Sequence, residues 1–583
     1  MQEVSQAYKE SMKSDLRERG FIMVSFGLIN QEIQSNASIG AGLYTYYSSS
    51  DGVFRDRKDY NIYATFEEDF TTADGSMLFL PREIEGQEYI PTGVVSRDMV
   101  SEGTVTVNIP FNVLEPVTFK GLTLNFGASY PKNLDIKIGS ETIQLRNFTE
   151  KVYQTEQVFE DATSLQIKVY DMAKTNSRFR LYNVKFGYGI VYDNEMVIDS
   201  QLETYVSPIN ENVPQTDFYV QLVNFDKAFN VDNPDSVINY LETGQQVDVK
   251  YGYQLPETEE IEWLQAATLY CSEWSSDDKV ATIRSQDIFR SMENEYYKGT
   301  VGRSSYYSLA QKVLIDAGIT EYEIDNSLKN IYTYNPIPRV PHKEALQLIA
   351  NATRSILSIA RDGTVSIIPH DIMYGTPCDF TMEKIDMVST PTMVKQEKTK
   401  DVTVARYVYQ NNDVEETLMS EDFEATANQV VTFFFNEPSY GYKATFNEDS
   451  KNVWFIASGA YYITLRFLIS GTYPLEINGC RYKVLHQNYV KNLHAYGRSI
   501  VWDNPLISEA SHAANLATWL GDYYGSSIEY EYDTRGNPEL DCNDVIYQEN
   551  EFKDNMKVIV VRDIMKFDGA FSGTVTTLRE GED

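Results

Sequence analysis

The chain is patterned for strands over most of its length. Between about residues 89 and 188, the segments 104–109 (TVTVNI), 121–126 (GLTLNF), 134–138 (LDIKI), 164–170 (SLQIKVY) and 179–186 (FRLYNVKF) alternate apolar and polar residues at period two. Short, evenly spaced strands with polar connections predict an antiparallel β-sandwich of about a hundred residues. Upstream, residues 2–19 suit a short charged helix, 21–29 (FIMVSFGLI) a strand apolar on both faces, and 60–66 and 77–80 two short strands beside the Asp74-Gly75 turn. Downstream, 218–223, 246–252, 267–270 and 279–284 are the clearest strands of a second β-rich block.

The period then changes. Over 305–318, Leu309, Val313 and Leu314 recur at helical spacing ahead of Gly318, and 341–352 starts a second helix. A hairpin follows over 355–368, where Asp362-Gly363 is the pair a type I′ turn prefers. Strands return at 402–409 and 461–467. Residues 508–525 predict a third helix, with Ala510, Ala513, Ala514, Ala517 and Leu520 as its apolar stripe and Ser508 as its cap. Residues 527–578 read as strand after strand. No internal repeat is visible, although the blocks 198–289 and 476–583 are similar in size. The expected fold class is mainly β and multidomain, β-barrels plus a β-sandwich, with a small α/β connecting domain.

Composition narrows the function. At 583 residues the chain is too long for one core, and units of roughly 100 to 200 residues suggest three to five of them. A hydrophobic fraction of 42% supports folding throughout despite a net charge of −35. No stretch concentrates Lys and Arg into a phosphate-binding stripe, so specific nucleic-acid binding is not expected; an acidic surface suits a wall that DNA passes without sticking. Cys271, Cys378, Cys480 and Cys542 stand singly, which argues for reduced, structural thiols. The N-terminus has no signal-peptide pattern, and no apolar run approaches the roughly 20 residues that span a bilayer. Synthesis as a soluble cytoplasmic chain without membrane insertion is expected, which leaves the glycosylation patterns at Asn147 and Asn351 without meaning.

Catalytic constellations are sparse. Asp533, Asp541 and Asp544 within the segment 533–544 (DTRGNPELDCND) lack the residue order of a calcium loop, and Pro538 stiffens their middle. That segment reads as a turn whose acids are surface charge. His342, His370, His486, His494 and His512 show no zinc-hydrolase spacing, and there is neither a nucleophile elbow nor a Walker loop. His512 reads as a surface or packed residue. Asp226, Asp232 and Asp235 form an acidic loop, for which a solvated turn is favoured over a structural cation. Tyr44, Tyr46 and Tyr47, Tyr306 and Tyr307, and Tyr461 and Tyr462 could stack on sugars, but sheet packing is favoured. No catalytic, cofactor or metal residue is assigned.

Residues 215–229 (QTDFYVQLVNFDKAF) and 244–252 (GQQVDVKYG) are similar to the first barrel of the tail or baseplate hub proteins of phages, prophages and contractile injection machines. The helices 305–318 and 341–352 with the hairpin 361–369 (RDGTVSIIP) resemble the α/β domain between barrels. The most specific match lies in 504–508 (NPLIS), the Ala-rich helix, 535–541 (RGNPELD), Asp544 and 567–571 (FDGAF), in hub order. Residues 89–188 are similar to discoidin-like, galactose-binding-type sandwiches, some of which bind carbohydrate and some of which are spacers. The segment GLINQEIQSNA and the stretch from Tyr63 to Pro81 resemble the N-terminal part of hub-like proteins from phages of Gram-positive bacteria.

The resemblance implies a homotrimer whose chains each donate two barrels to a pseudo-sixfold ring. The ring joins the tail tube or distal tail protein to a spike or tip protein, with the tape measure protein as a further candidate partner, and DNA leaves through it unbound. The implied location is the virion tail, after assembly in the host bacterial cytoplasm. The division expected is 1–88 helix and β segment, 89–190 sandwich, 191–298 first barrel, 299–375 α/β domain, 376–475 β-rich connector, and 476–583 second barrel with the Ala-rich helix. A non-enzymatic structural hub is the first reading, and a tail adhesin holding host cell-wall glycan through residues 89–190 the second. A tail lysin is disfavoured because the chain ends at its last strand.

Overall fold

The computed structural model describes residues 1–39, 51–54 and 93–579, apart from 128, 234–235, 237–242, 257, 259, 371–376, 447–451, 526–527 and 554. The strands expected at 60–66 and 77–80, and Tyr44, Tyr46 and Tyr47, lie outside the described residues. The chain is mainly β, with 52% strand and 13% helix. Among the described residues no helix is long and apolar enough to cross a membrane.

One thirteen-stranded sheet organises the molecule. From one edge it runs Gly187–Tyr192, Gly20–Ile29, Gln246–Gln254, Ile261–Ser276, Val280–Gln286, Gln215–Val223 and Val197–Tyr205. It continues through Met556–Phe567, Phe571–Arg579 and Ile528–Thr534 to Thr392–Lys395, with Val545–Gln548 and Thr381–Met382 branching beside Met556–Phe567. Side chains alternate across a strand, so each strand sends every second residue to one side. In the first seven strands these residues, among them Ile22, Val24, Val220, Val249 and Ile283, form one core. Tyr530, Tyr532, Ile546, Val558, Val560 and Val575 form a second. The two barrel-like units meet edge to edge where Val197–Tyr205 pairs antiparallel with Met556–Phe567, from Ser200 opposite Phe567 to Tyr205 opposite Arg562.

The sequence-based division changes at three places. Gly20–Ile29 is not part of a separate N-terminal segment: it pairs with Gln246–Gln254 and Gly187–Tyr192 and fills the first barrel core with Ile22, Val24 and Phe26. Thr381–Met382 and Thr392–Lys395 belong to the second barrel and not to the connector. Residues 476–525 lie outside that barrel. Gly471–Arg481 completes a small β unit spanning about 415–481, cored by Phe433, Ile463, Leu465 and Leu475. Lys483–Asn492 and Arg498–Trp502 flank Thr399–Gln410. The Ala-rich helix, Ala510–Gly525, packs on that sheet and shares one core with the helices Tyr306–Asp316 and His342–Ala352. Its stripe of Ala513, Leu516, Ala517 and Leu520 is too apolar to face solvent, and the α/β unit supplies the facing surface.

The segment 504–508 plugs this α/β core. Leu506 and Ile507 are fully buried, and the Leu506 carbonyl accepts from the Tyr306 hydroxyl (2.8 Å) and Thr333 Oγ1 (2.6 Å). Asn504 Nδ2 donates to the Leu348 carbonyl (2.8 Å) and Asn351 Oδ1 (3.0 Å). Ser508 does not cap the helix: its hydroxyl accepts from the Tyr334 N–H at 3.2 Å, and the helix starts at Ala510. Replacing Asn504 by alanine strands buried polar groups and is expected to cost about 1–3 kcal/mol, readable by urea denaturation of the full chain.

The sandwich is inserted between Gly20–Ile29 and Gly187–Tyr192, which pair with each other as a hairpin would. Its four-stranded sheet (Val105–Pro110, Ser164–Met172, Pro131–Ile138, Glu141–Leu145) and three-stranded sheet (Asn183–Lys185, Val117–Asn125, Val152–Ala162) enclose Val107, Phe119, Leu124, Ile136, Ile167 and Phe186. The N-terminal helix is shorter than expected, Gln6–Met12, with Ser5 as its cap.

The hairpin Ser355–Ile359/Val365–Pro369 is not closed by a type I′ turn. Gly363 donates to the Ala360 carbonyl (2.7 Å), Ala360 donates to that of Thr364 (2.9 Å), and Gly363 has φ +87° whereas Asp362 does not enter the left-handed region. The loop is therefore three residues, Arg361-Asp362-Gly363, with the glycine taking the bulge position. The longer loop puts Arg361 at the hairpin tip.

Candidate functional site

The seam between the barrels has two sides of different character. On the inner side lies a cavity of about 320 Å³ whose lining includes Arg361, Asp541, Asp544, Asp563 and Asp287. Arg361 is its keystone. Its Nε donates to Asp541 Oδ1 at 2.6 Å, Nη1 to the carbonyls of Pro538 (2.6 Å) and Gln265 (3.0 Å), and Nη2 to that of Leu540 (2.7 Å). One guanidinium thus ties the α/β hairpin to the first barrel through Gln265 and to the second through residues 538–541. The planar fork of arginine, with its five donors, suits this role.

The N-terminal segment straps the same place. Tyr8 and Met12 pack on Tyr253 and Leu264 of the first barrel. Lys9 approaches Glu539 (3.7 Å), and Arg17 Nη1 donates to the carbonyls of Arg535 (2.8 Å) and Gly536 (2.6 Å). The Met1 amino group lies 2.6 Å from Asp544 and 3.2 Å from Asp541. The acids of the segment 533–544 are therefore not uniformly surface charge. Glu539 is 2% exposed and Asp544 8%, while Asp533 stays outside and accepts from the Thr574 hydroxyl at 2.8 Å. Asp533 is thereby separated from Asp541 and Asp544. Among the described residues no three His, Cys, Asp or Glu side chains are grouped to hold a metal.

Burial controls the protonation of this cavity. It raises the Asp563 carboxyl to about 7 against the opposing field of Arg361, with Asp541 and Asp544 adding to the rise. Burial likewise raises Asp287 to about 7, although the backbone N–H groups of Thr216 (2.6 Å) and Phe289 (2.9 Å) bond its carboxylate. Burial also acts on Asp541, but Arg361 and the Met1 amino group outweigh it and hold that carboxyl below the usual range. Desolvation drives the thiol of half-buried Cys542, beside these acids, well up.

The outer side of the seam is a polar sheet face. Directly paired residues share a face, so Gln201 stands beside Lys566, Glu203 beside Ile564 and Tyr205 beside Arg562. Pairing carries this face outward to Asp217, Tyr219 and Arg284 on the first barrel, and to Thr574, Thr576, Glu529, Glu531 and Asp533 on the second. Arg562 Nη2 donates to Glu203 at 2.6 Å, and Arg284 pairs with Glu273 at 3.1 Å. With Asp199 in the same parity as Glu203, carboxylates outnumber cations across the seam. Two open grooves, of about 480 and 570 Å³, lie along it.

The remaining candidates are structural. His342 is buried with its ring between the Asn294 carbonyl (2.6 Å) and Asp316 (3.1 Å). His512 packs edge-on to Tyr306 and bonds the Ala352 carbonyl, and burial lowers its pKa. His486 lies against Tyr407, His494 lies 3.5 Å from the Gly525 carbonyl, and the His370 N–H donates to the Arg354 carbonyl. Asp226 closes a local turn by accepting from the Ala228 N–H, and Asp232 donates its own N–H to Asn230. Asp235 lies outside the described residues. Tyr306 and Tyr461 are buried, Tyr307 lies beneath Lys329, and Tyr462 packs on Tyr297. Sequence reading missed Arg361, Asp287 and Asp563 as a group. Their signal is weak, since they come from three separate elements.

No family model and no curated protein matches the chain. Among solved structures it is similar to a 43 kDa prophage tail protein from Shewanella oneidensis, at 10% identity and TM-score 0.38, covering 77% of this chain and 98% of that one. It is also similar to a tail protein from Neisseria meningitidis, at 8% identity and TM-score 0.39, covering 68% of this chain and 94% of that one. A prophage tail protein from Listeria monocytogenes shows 11% identity and TM-score 0.35, over 67% of this chain and 91% of that one.

Proposed function

We propose that the protein is a structural hub of a phage or phage-like tail, a homotrimer in which six barrels form a ring between the tail tube and the spike or tip. The observation that carries this reading is the sheet that runs unbroken through both barrels with a polar, acid-rich face. A wall on which carboxylates outnumber cations repels the phosphates of a passing duplex. The order of hub-like motifs along the sequence supports the same reading. Their contacts support it as well: Arg361 and residues 535–541 tie the barrels together, and residues 504–508 fill the α/β core. In this role the protein transmits geometry and performs no chemistry.

The reading predicts a mass three times that of the 66.7 kDa chain at micromolar concentration, measured by mass photometry or native mass spectrometry. Cryo-EM of the particle is expected to show a closed ring with Glu203, Glu529 and Glu531 turned toward the axis. A stable monomer, or a ring with this face turned outward, overturns it.

A further inference from the structure

A second β unit is inserted as the sandwich is. Gln410 pairs with Lys483 where the antiparallel strands Thr399–Gln410 and Lys483–Asn492 meet, so residues 411–482 stand at the tip of that hairpin. The unit has two faces of opposite character. In its sheet of Glu415–Ala425, Gly471–Arg481 and Ser439–Thr445, the side chains of Tyr473, Leu475 and Ile477 enter the core, which leaves Asp422, Glu424 and Glu476 on the outer face. Residues 411–482 as a whole contain ten Asp and Glu against four Lys and Arg.

The other sheet, Gln429–Phe434, Tyr462–Phe467 and Val453–Ser458, sends Phe433, Ile463, Leu465 and Phe467 inward. Its outer face is largely apolar and, among the described residues, has no carboxylate. Arg466 stands between Val430 and Trp454 in one row, Thr464 between Thr432 and Ala457 in the next, and Tyr462 beside Phe434 in the third. The α/β unit packs against that third row, where Phe434 and Tyr462 meet the Tyr297 ring at 4.9 and 5.0 Å. The rest is open. A register shift between Phe455 and Ala457 adds Ile456 as an extra residue on the edge strand, and Trp454, Phe455 and Ile456 are 55%, 56% and 50% exposed, with Val430 at 56%. Among the described residues Arg466 has no ion pair: its Nη2 reaches Asn428 Oδ1 at 3.4 Å, and its Nε is buried without an acceptor.

We propose that a second copy of the chain covers this face, bringing apolar side chains against Trp454, Phe455 and Ile456 and a carboxylate to Arg466. The inference rests on the reading of the protein as an oligomer and adds to it a contact outside the barrels. Charge favours this occupant. Each copy carries −35, so copies repel where their acidic surfaces approach, and close contact favours a surface that lacks carboxylates. The lone cation on this face then complements an acidic neighbour. Area points the same way. The four half-exposed apolar side chains present roughly 400–500 Å², near the top of the range for the largest patch on a monomer. That is over half of the roughly 800 Å² each partner gives to a stable interface. Trp454 and Arg466, paired across neighbouring strands, are of the residue types that dominate binding at interface centres. An anionic bilayer is disfavoured, because the unit around the patch is acidic.

The test follows the full-length protein by analytical ultracentrifugation over a dilution series, with Trp454→Glu and Arg466→Gln as variants and amide exchange at residues 453–458 as a second readout. Trp454→Glu is expected to raise the concentration of half-dissociation at least about tenfold, and Arg466→Gln by a smaller factor, with circular dichroism unchanged. The amides of 453–458 are expected to be protected in the associated wild type and to lose that protection on dilution. Trp454 is more than half exposed, so glutamate there leaves the core intact; should that variant misfold, Arg466→Gln and the exchange data decide. An associated wild type whose variants dissociate at the same concentration, or whose 453–458 amides exchange equally throughout the series, overturns the inference and leaves the ring reading standing. A wild-type monomer overturns both. Flotation of the wild type with phosphatidylcholine–phosphatidylglycerol vesicles that Trp454→Glu abolishes assigns the face to a membrane and also overturns the inference.

Discussion

Arg361→Ala is expected to destabilise the junction of the barrels by about 2–4 kcal/mol, somewhat below the roughly 3–5 kcal/mol for removing one partner of a fully buried ion pair, because Arg361 and Asp541 are partly exposed. The loss has several parts. Asp541 keeps its charge in a cavity that already contains Asp544 and Asp563, and the carbonyls of Pro538, Leu540 and Gln265 lose their donor. Lysine at this position restores the charge but reaches fewer of the four acceptors, because an ammonium lacks the planar fork. Arg361→Lys is therefore expected to recover only part of the loss. Urea denaturation followed by amide exchange at residues 200–205 and 562–567 separates local opening of the seam from global unfolding. Unchanged protection of those amides in Arg361→Ala would contradict the keystone role.

Local features of the fold were legible because they depend on neighbours in sequence. Period two marked the sandwich strands, and helical spacing with a closing glycine marked Tyr306–Asp316. Partner choice was not legible. Gly20–Ile29 reads as a strand apolar on both faces whichever sheet receives it, and its partner Gln246–Gln254 lies more than two hundred residues away. The Ala-rich helix was assigned to a barrel by proximity to the last strands, but only the structure shows that the α/β unit holds the apolar surface it needs.

The site was less legible still, and one bulge shows why. Strict alternation from Val558 and Val560 turns Arg562 inward and Asp563 outward. A register shift between Val560 and Arg562 reverses this, so Arg562 joins Glu203 on the polar face while Asp563 enters the cavity opposite Thr204. In the segment 533–544 the turn chemistry of Gly536-Asn537-Pro538 was readable, and Gly536 has φ +68°. The inward direction of Glu539 and Asp544 was not, because it depends on Lys9, the Met1 amino group and Arg361, which approach from elsewhere in the chain.

Asp563→Asn is expected to stabilise the seam at pH 8 and to flatten its dependence on pH. Desolvation pushes half-buried Asp563 and buried Asp287 up to about 7, about three units above an unfolded aspartate near 3.9. Below about pH 4 both states hold these protons and the groups impose no penalty. Between about pH 4 and pH 7 the unfolded chain releases them while the folded chain keeps them, so stability falls as pH rises and levels off above about 7. Each group contributes at most about 4 kcal/mol to that fall, from three units at 1.36 kcal/mol each. Asp541 acts with the opposite sign: its depressed pKa contributes stability that is present above the unfolded value and lost only as pH falls through the lower folded one. Asp544, Glu539 and Asp386 are also raised by burial and act in the same direction, so the fall in stability between pH 4 and pH 7 belongs to the raised carboxyls together, with Asp563 and Asp287 shifted furthest. An amide at position 563 cannot ionise, so the variant should gain about 2–4 kcal/mol at pH 8 and little at pH 4.5. Amide exchange at residues 200–205 and 562–567, compared at these two pH values after correction for intrinsic rates, provides the measurement. Equal protection of the wild-type seam at both values would show that the cavity does not hold its protons.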